Sequence, residues 1–146
     1  MVKFTIVVPV FNEKDNLSRL EVELMKFINS TKYKTKILII DDGSTDGSKE
    51  IIKRLCEKNS FFEYVSFKTN HGLSSALKAG FDLCDSEYLG YIDADLQTSP
   101  NDFHNLLKYI GKYDLVTGYR AERKDSLIKK LTSLAANNIR NLFTND

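Results

Sequence analysis

Apolar positions fall along this chain in two rhythms that take turns. Thr5 to Val10 is an apolar, β-branched run that reads as a strand, and Leu17, Leu20, Leu24, Phe27 and Ile28 then recur at helical spacing. Lys36 to Ile40 returns to a strand and completes a βαβ unit. The alternation continues with a helix over Lys49 to Leu55, a strand over Tyr64 to Phe67, and a helix carrying Leu73, Leu77, Gly80, Phe81 and Cys84. Tyr88, Leu89, Tyr91 and Ile92 predict a buried strand ending at Asp93. A short helix after Pro100 with Phe103, Leu106, Leu107 and Ile110 follows, then a strand at Leu115 to Thr117. Strands separated by helices need crossover connections, so the fold class is α/β, with a mostly parallel sheet covered on both faces.

Ligands of such sheets bind beyond the carboxyl ends of the strands. The polar residues cluster there: PVFNE follows the first strand, DDGSTDG the second, TNHG the third, DADLQ the fourth and TGYR the fifth. Asn, Asp, Ser and Gly are ordinary in strand-to-helix loops, so any one of these segments has a plain structural reading. Five on the same sheet edge point to a site.

DADLQ carries the most specific chemistry. If the segment is extended, Asp93, Asp95 and Gln97 share one side while Ala94 and Leu96 face the core. Such oxygen donors suit Mg2+ or Mn2+, with positions left for water and the phosphates of a nucleotide. The competing reading, a helix cap, needs one oxygen and belongs nearer Ser99 or Asn101.

DDGSTDG invites comparison with a calcium loop, but the EF-hand register from Asp42 puts Lys53 at the bidentate glutamate, and the register from Asp41 puts Asp46 at the required glycine. A carboxylate ending the second strand is instead placed to bond a base or ribose, which makes Asp41 and Asp42 nucleoside-binding candidates. The first loop, PVFNEKDN, has no glycine, which excludes both a GxGxxG turn and a P-loop.

Composition narrows the field further. The 146 residues, 42% hydrophobic, suffice for one core and give a single expected domain over residues 1–146. With 21 basic and 20 acidic side chains there is no basic field for nucleic acid. The apolar run Phe4 to Phe11 is too short for a membrane span and lacks a signal-cleavage pattern, so a cytoplasmic location is expected. Cys56 and Cys84 read as reduced, half-buried thiols, and His71 and His104 as surface or loop residues with no zinc-like spacing.

VVPVFNE, IIDDGSTDGS, NHGLSSALKAGF, YIDADLQTSP and TGYRAER, in this order, resemble the family 2 inverting glycosyltransferases, and most closely the polyprenyl-phosphate sugar synthases typified by dolichol-phosphate mannose synthase. The resemblance covers residues 4 to 146. It implies a GT-A, Rossmann-like three-layer sandwich and a donor that is a UDP- or GDP-linked sugar. Pro9, Phe11 and Glu13 would line the nucleoside pocket, one of Asp41 and Asp42 would read the base or ribose, and Asn70 and Gly72 would complete the donor site. Asp93 and Asp95 would bind the donor and its Mg2+ or Mn2+, joined by Gln97. Arg120 would face the diphosphate or the acceptor phosphate, with Arg123 as a second candidate. Many members carry Lys or Arg directly after the glycine at Gly72, where this chain has Leu73.

The implied reaction leaves negative charge on the departing phosphate, which a divalent cation and an arginine stabilise. A hydroxyl acceptor also needs a general base, for which only Glu122 and Asp125 offer themselves; a lipid phosphate is already anionic and needs none. A dolichyl or undecaprenyl phosphate is therefore the expected acceptor, and a glycan hydroxyl the alternative. Ile128, Leu131, Ala135, Ile139 and Leu142 form an apolar stripe at helical spacing beside Lys129, Lys130 and Arg140, which packs on the core or contacts an anionic membrane surface. Family members usually continue past this point, so the chain reads as the donor-binding portion without the acceptor side. A donor-binding fragment that self-associates as a homodimer is the alternative to a working enzyme. A nucleotidyltransferase would want a glycine-rich, basic first loop, which is absent here.

Overall fold

The computed structural model describes residues 4–118. The chain divides into two units, Met1–Asp114 and Leu115–Asp146. In the first, β1 (Phe4–Val10), α1 (Lys14–Ser30), β2 (Thr35–Asp41), α2 (Ser48–Lys58), β3 (Phe62–Ser66), α3 (Leu73–Leu83) and β4 (Tyr88–Tyr91) follow one another, and a 3-10 turn at Pro100–Asp102 leads into α4 (Phe103–Leu106) and a second 3-10 turn, Leu107–Tyr109. The sheet order is β3-β2-β1-β4, with every pairing parallel, as the strand–helix alternation predicts.

β1 is buried throughout because it is central and covered on both faces. On one face Phe4, Ile6, Val8 and Val10 meet the α1 stripe Leu17, Leu20, Leu24 and Phe27, with Ile52 and Leu55 of α2 and Phe103 of α4. Each of those four α1 side chains is fully buried, worth about 1.5–3 kcal/mol apiece relative to exposure. On the other face Val7, Leu38 and Ile40 pack against Ala76 of α3. α3 lies close because Gly80 has no side chain: a Cβ there would stand 2.4 Å from Val7 Cγ1.

Two expected strands need correction. β4 ends at Tyr91 rather than Asp93, and it is not buried, since Leu89 is 42% and Tyr91 53% exposed. Among the described residues it lies at the end of the sheet, paired with β1, while α3 packs mainly on β1 and β2 and reaches β4 through the edge contact of Phe81 with Tyr91. The strand expected at Leu115 to Thr117 is coil: this three-residue run has no ladder partner among the described residues, and Leu115 is 80% exposed. Arg120, Arg123, Glu122, Asp125 and the stripe from Ile128 to Leu142 lie outside the described residues.

Candidate functional site

A cavity of about 220 Å³ opens at the carboxyl ends of β1, β2 and β4, where a parallel sheet is expected to bind its ligand. Pro9, Val10 and Phe11 line it at the end of β1, with Leu73 and Ala76 of α3 and Ala94. These supply an apolar wall. Its charged lining among the described residues is wholly acidic: Glu13, Asp42, Asp93 and Asp95. A second cavity, about 240 Å³, lies beyond the C-terminal end of α1 between Lys32, Tyr33, His104 and Lys108, away from the polar loops.

The four carboxylates differ in what already occupies them. Asp42 is buried and both its oxygens are taken, Oδ1 by the His71 amide at 2.7 Å and Oδ2 by the Gly72 amide at 2.8 Å. Glu13 Oε2 accepts from Asn16 Nδ2 at 2.6 Å. Asp95 Oδ1 accepts the Gln97 amide at 3.0 Å. Asp93 has no hydrogen bond or ion pair within the described residues, and it is exposed to the cavity mouth. Asp93 and one oxygen each of Asp95 and Glu13 are thus left open within the described residues, and Asp93 and Asp95, two positions apart in one loop, are the pair offered to a cation. No three His, Cys, Asp or Glu side chains among the described residues gather into a metal cage, so the pair fits an ion that completes its shell with water and ligand oxygens.

The loop after β2 holds its neighbours in place. Asp41 is fully buried and does not reach the cavity: it accepts the Ser44 amide at 3.0 Å and the Ser66 hydroxyl at 2.6 Å. Gly43, at φ +74°, runs so close to the third loop that a Cβ would stand 2.5 Å from the Thr69 carbonyl carbon. Burial disfavours the charge of Asp46, but hydrogen bonds from the Ser48 hydroxyl, the Ser48 amide and the Lys14 amide outweigh it and hold this carboxyl below its ordinary value.

Of the residues singled out from the sequence, Pro9, Phe11, Glu13, Asp42, Asp93 and Asp95 come together around the cavity, whereas Asp41, Asn70, Gly72 and Gln97 do not border it. Gln97 is turned aside because DADLQ is not extended: it turns at Ala94 and Asp95, and Leu96 takes φ +57°. Ala94 does face the core, as expected, and Ser99 rather than either aspartate caps the turn after it, accepting the Asn101 amide. The cavity roles of Val10, Ala76 and Ala94 were not anticipated. Nothing in their residue types separates a cavity wall from ordinary core.

Comparison with known proteins identifies the family and the fold. A sequence model described as Glycosyl transferase family 2 matches residues 5–144. The undecaprenyl-phosphate 4-deoxy-4-formamido-L-arabinose transferase of Pseudomonas syringae is 34% identical over 99% of this chain, which spans 45% of that protein. The protein of the same name from Yersinia enterocolitica is 34% identical over 92% of the chain, which spans 42% of it. The chain therefore covers under half the length of these relatives. Among solved structures, the mannosyltransferase PcManGT of Pyrobaculum calidifontis in complex with GDP-Man and Mn2+ superposes with a TM-score of 0.60 at 24% identity, over 75% of this chain and 32% of that one. S. aureus TarS in complex with UDP-GlcNAc does so with a TM-score of 0.64 at 18% identity, over 85% of this chain and 37% of its own.

Proposed function

Because the chain belongs to glycosyl transferase family 2, we propose that it binds a nucleoside-diphosphate sugar in this cavity and contributes the donor half of a transfer, with inversion, to a polyprenyl phosphate. The observation that carries the reading is the lining itself: among the described residues it holds four carboxylates and no basic side chain, with Asp93 free of hydrogen bonds and Asp95 and Glu13 each committing one oxygen. A diphosphate entering so acidic a cavity alone would meet like charge on every side. It enters with a divalent cation, Mg2+ or Mn2+.

The cavity of about 220 Å³ is smaller than the roughly 300–1,000 Å³ of a site that encloses a whole drug-sized ligand, so it takes the nucleoside end and leaves the sugar at the mouth. Pro9, Phe11, Leu73 and Ala76 offer the base an apolar wall, and Asp42, braced by two amides, faces the ribose or base from the opposite loop. Asp93 and Asp95 hold the cation, which when bound offsets the charge that develops on the departing diphosphate. An acceptor phosphate attacks the anomeric carbon as the anion it already is, so the chain needs no base at the acceptor side. Arg120 and Arg123, outside the described residues, are assigned to the diphosphate or the acceptor phosphate. The relatives' names, which include undecaprenyl phosphate, support a lipid-phosphate acceptor. Contact with the cytoplasmic face of the membrane would be peripheral for this portion, since no helix of the described residues is long and apolar enough to cross one.

Calorimetric titration of the chain with UDP and GDP, with and without Mn2+, tests the reading. The expected result is binding of one nucleotide that requires the metal and is lost in Asp95→Ala. Equal binding without metal, or an unaffected Asp95→Ala, would refute it.

A further inference from the structure

α1 begins without a cap of its own. Glu13 occupies the N-cap position, and its side chain bonds none of the first-turn amides. Amides at a helix start need acceptors from somewhere. Here they come from the loop after β2, more than thirty residues further on: Asn12 N–H donates to Ser44 Oγ, Glu13 N–H to Ser48 Oγ and Lys14 N–H to Asp46 Oδ2, each at 3.0 Å. One bond returns, from Thr45 N–H to Asn12 Oδ1 at 2.8 Å.

The clasp is braced from behind. Asp46 Oδ1 accepts from the Ser48 hydroxyl at 2.6 Å and from the Ser48 amide at 2.9 Å, so the hydroxyl's proton is committed and a lone pair is left for Glu13. Ser48 is fully buried, so its hydroxyl is held for Asp46 and Glu13 rather than for solvent. Asn12 sits at φ +55°, a left-handed conformation that the bonds on both sides of it hold. None of Ser44, Asp46 and Ser48 borders the cavity, yet the segment they grip joins Phe11 to Glu13, which do.

Resting on the nucleotide-sugar reading above, we infer that Ser44, Asp46 and Ser48 are positioning residues for nucleoside binding. They touch no ligand. They fix the main chain from Asn12 to Lys14, and through it the placement of Phe11 and Glu13 in the cavity wall, so their loss weakens nucleotide binding rather than the chemistry at the sugar.

The test is titration of the full chain with UDP and GDP in Mn2+ for wild type, Ser44→Ala, Ser44→Thr and Asp46→Ala, together with amide hydrogen exchange at Asn12, Glu13 and Lys14. Loss of one hydrogen bond corresponds to about three- to tenfold weaker binding in Ser44→Ala, with faster exchange at Asn12. Asp46→Ala, which also frees Ser48, is expected to weaken binding at least as much. Ser44→Thr keeps the hydroxyl and is expected to bind like wild type, which separates the bond from a general loosening of the loop. Variants that bind as tightly as a binding-competent wild type, or a Ser44→Thr as weak as Ser44→Ala, would overturn the positioning role alone. A wild-type chain that binds neither nucleotide would overturn the nucleotide-sugar reading and this role with it.

Discussion

Replacing Asp42 by alanine removes a buried carboxylate that ties the end of β2 to the start of α3 through the His71 and Gly72 amides, at 2.7 and 2.8 Å. Both lengths fall in the range of charge-assisted bonds, and hydrogen bonds to charged groups contribute about 1.5–3 kcal/mol each. Two corrections lower the sum. His71 is exposed and Gly72 half-exposed, so water can reach the freed amides. Asp42 also shares the cavity with Glu13, Asp93 and Asp95, and its removal relieves like-charge repulsion. The net expectation is a loss of about 1–3 kcal/mol for Asp42→Ala, and about half of that for Asp42→Asn, which keeps one acceptor and turns an NH2 toward the other amide. Urea denaturation at neutral pH measures it. With a slope of about 2 kcal/mol per molar, the alanine variant's midpoint should fall by roughly 0.5–1.5 M at unchanged slope. A midpoint at or above that of wild type would refute the argument, because it would mean that repulsion in the cavity outweighs the two bonds.

Two further outcomes follow from the titrating groups. Asp46 has its folded pKa lowered from 3.8, so its contribution to stability is complete above that value and is lost as pH falls through the lower folded value. The stability gap between wild type and Asp46→Asn should accordingly shrink below pH 3.8 in acid-titrated urea melts; a gap that widens there would contradict the assignment. Burial, with a smaller contribution from the Glu63 charge, pushes the Cys56 thiol up from 9.0 to about 11. At pH 8 its thiolate fraction is then about a hundredfold below that of an ordinary thiol, and because a more basic thiolate is also more nucleophilic, mass-spectrometric alkylation at Cys56 should fall behind a model thiol by at least about tenfold. Labelling at the free-thiol rate would refute this argument.

Local rhythm was enough to find the layers. Leu17, Leu20, Leu24 and Phe27 recur at helical spacing and all four are fully buried, because an amphipathic stripe long enough to define a face has only one face to bury. The same rhythm misjudged β4. An apolar run such as Tyr88, Leu89, Tyr91 and Ile92 says that a strand forms, but not whether it is central or at the edge, which depends on the order in which distant segments pair. DADLQ was misread as extended for a different reason. Leucine rarely takes positive φ, and Leu96 does so at +57°, which nothing in its residue type announces. DDGSTDGS was legible as a turn-rich loop near a ligand, but Asp42 is the only one of its side chains that borders the cavity. Ser44, Asp46 and Ser48 hold main chain far away in sequence, and single-sequence patterns carry no record of such partners.

The strand order explains this division of labour. In the order β3-β2-β1-β4, the loop after β2 lies between the loops after β1 and β3, so it alone can bond to both. It does so, through Ser44, Asp46 and Ser48 on one side and Asp42 on the other, where Gly43 lets the two loops approach closely. The loop after β4 lies on the far side of β1 from this hub, and among the described residues the side-chain hydrogen bonds of its aspartates are confined to the local one from Gln97 to Asp95. The proposed nucleoside side of the cavity is consequently cross-braced before any ligand arrives, which would spare a base the ordering of its own wall. The proposed cation side keeps carboxylate oxygens that no amide among the described residues has claimed. A carboxylate saturated by the protein, as Asp42 is, would have to give up a bond of about 1.5–3 kcal/mol to ligate an ion, whereas Asp93 gives up none.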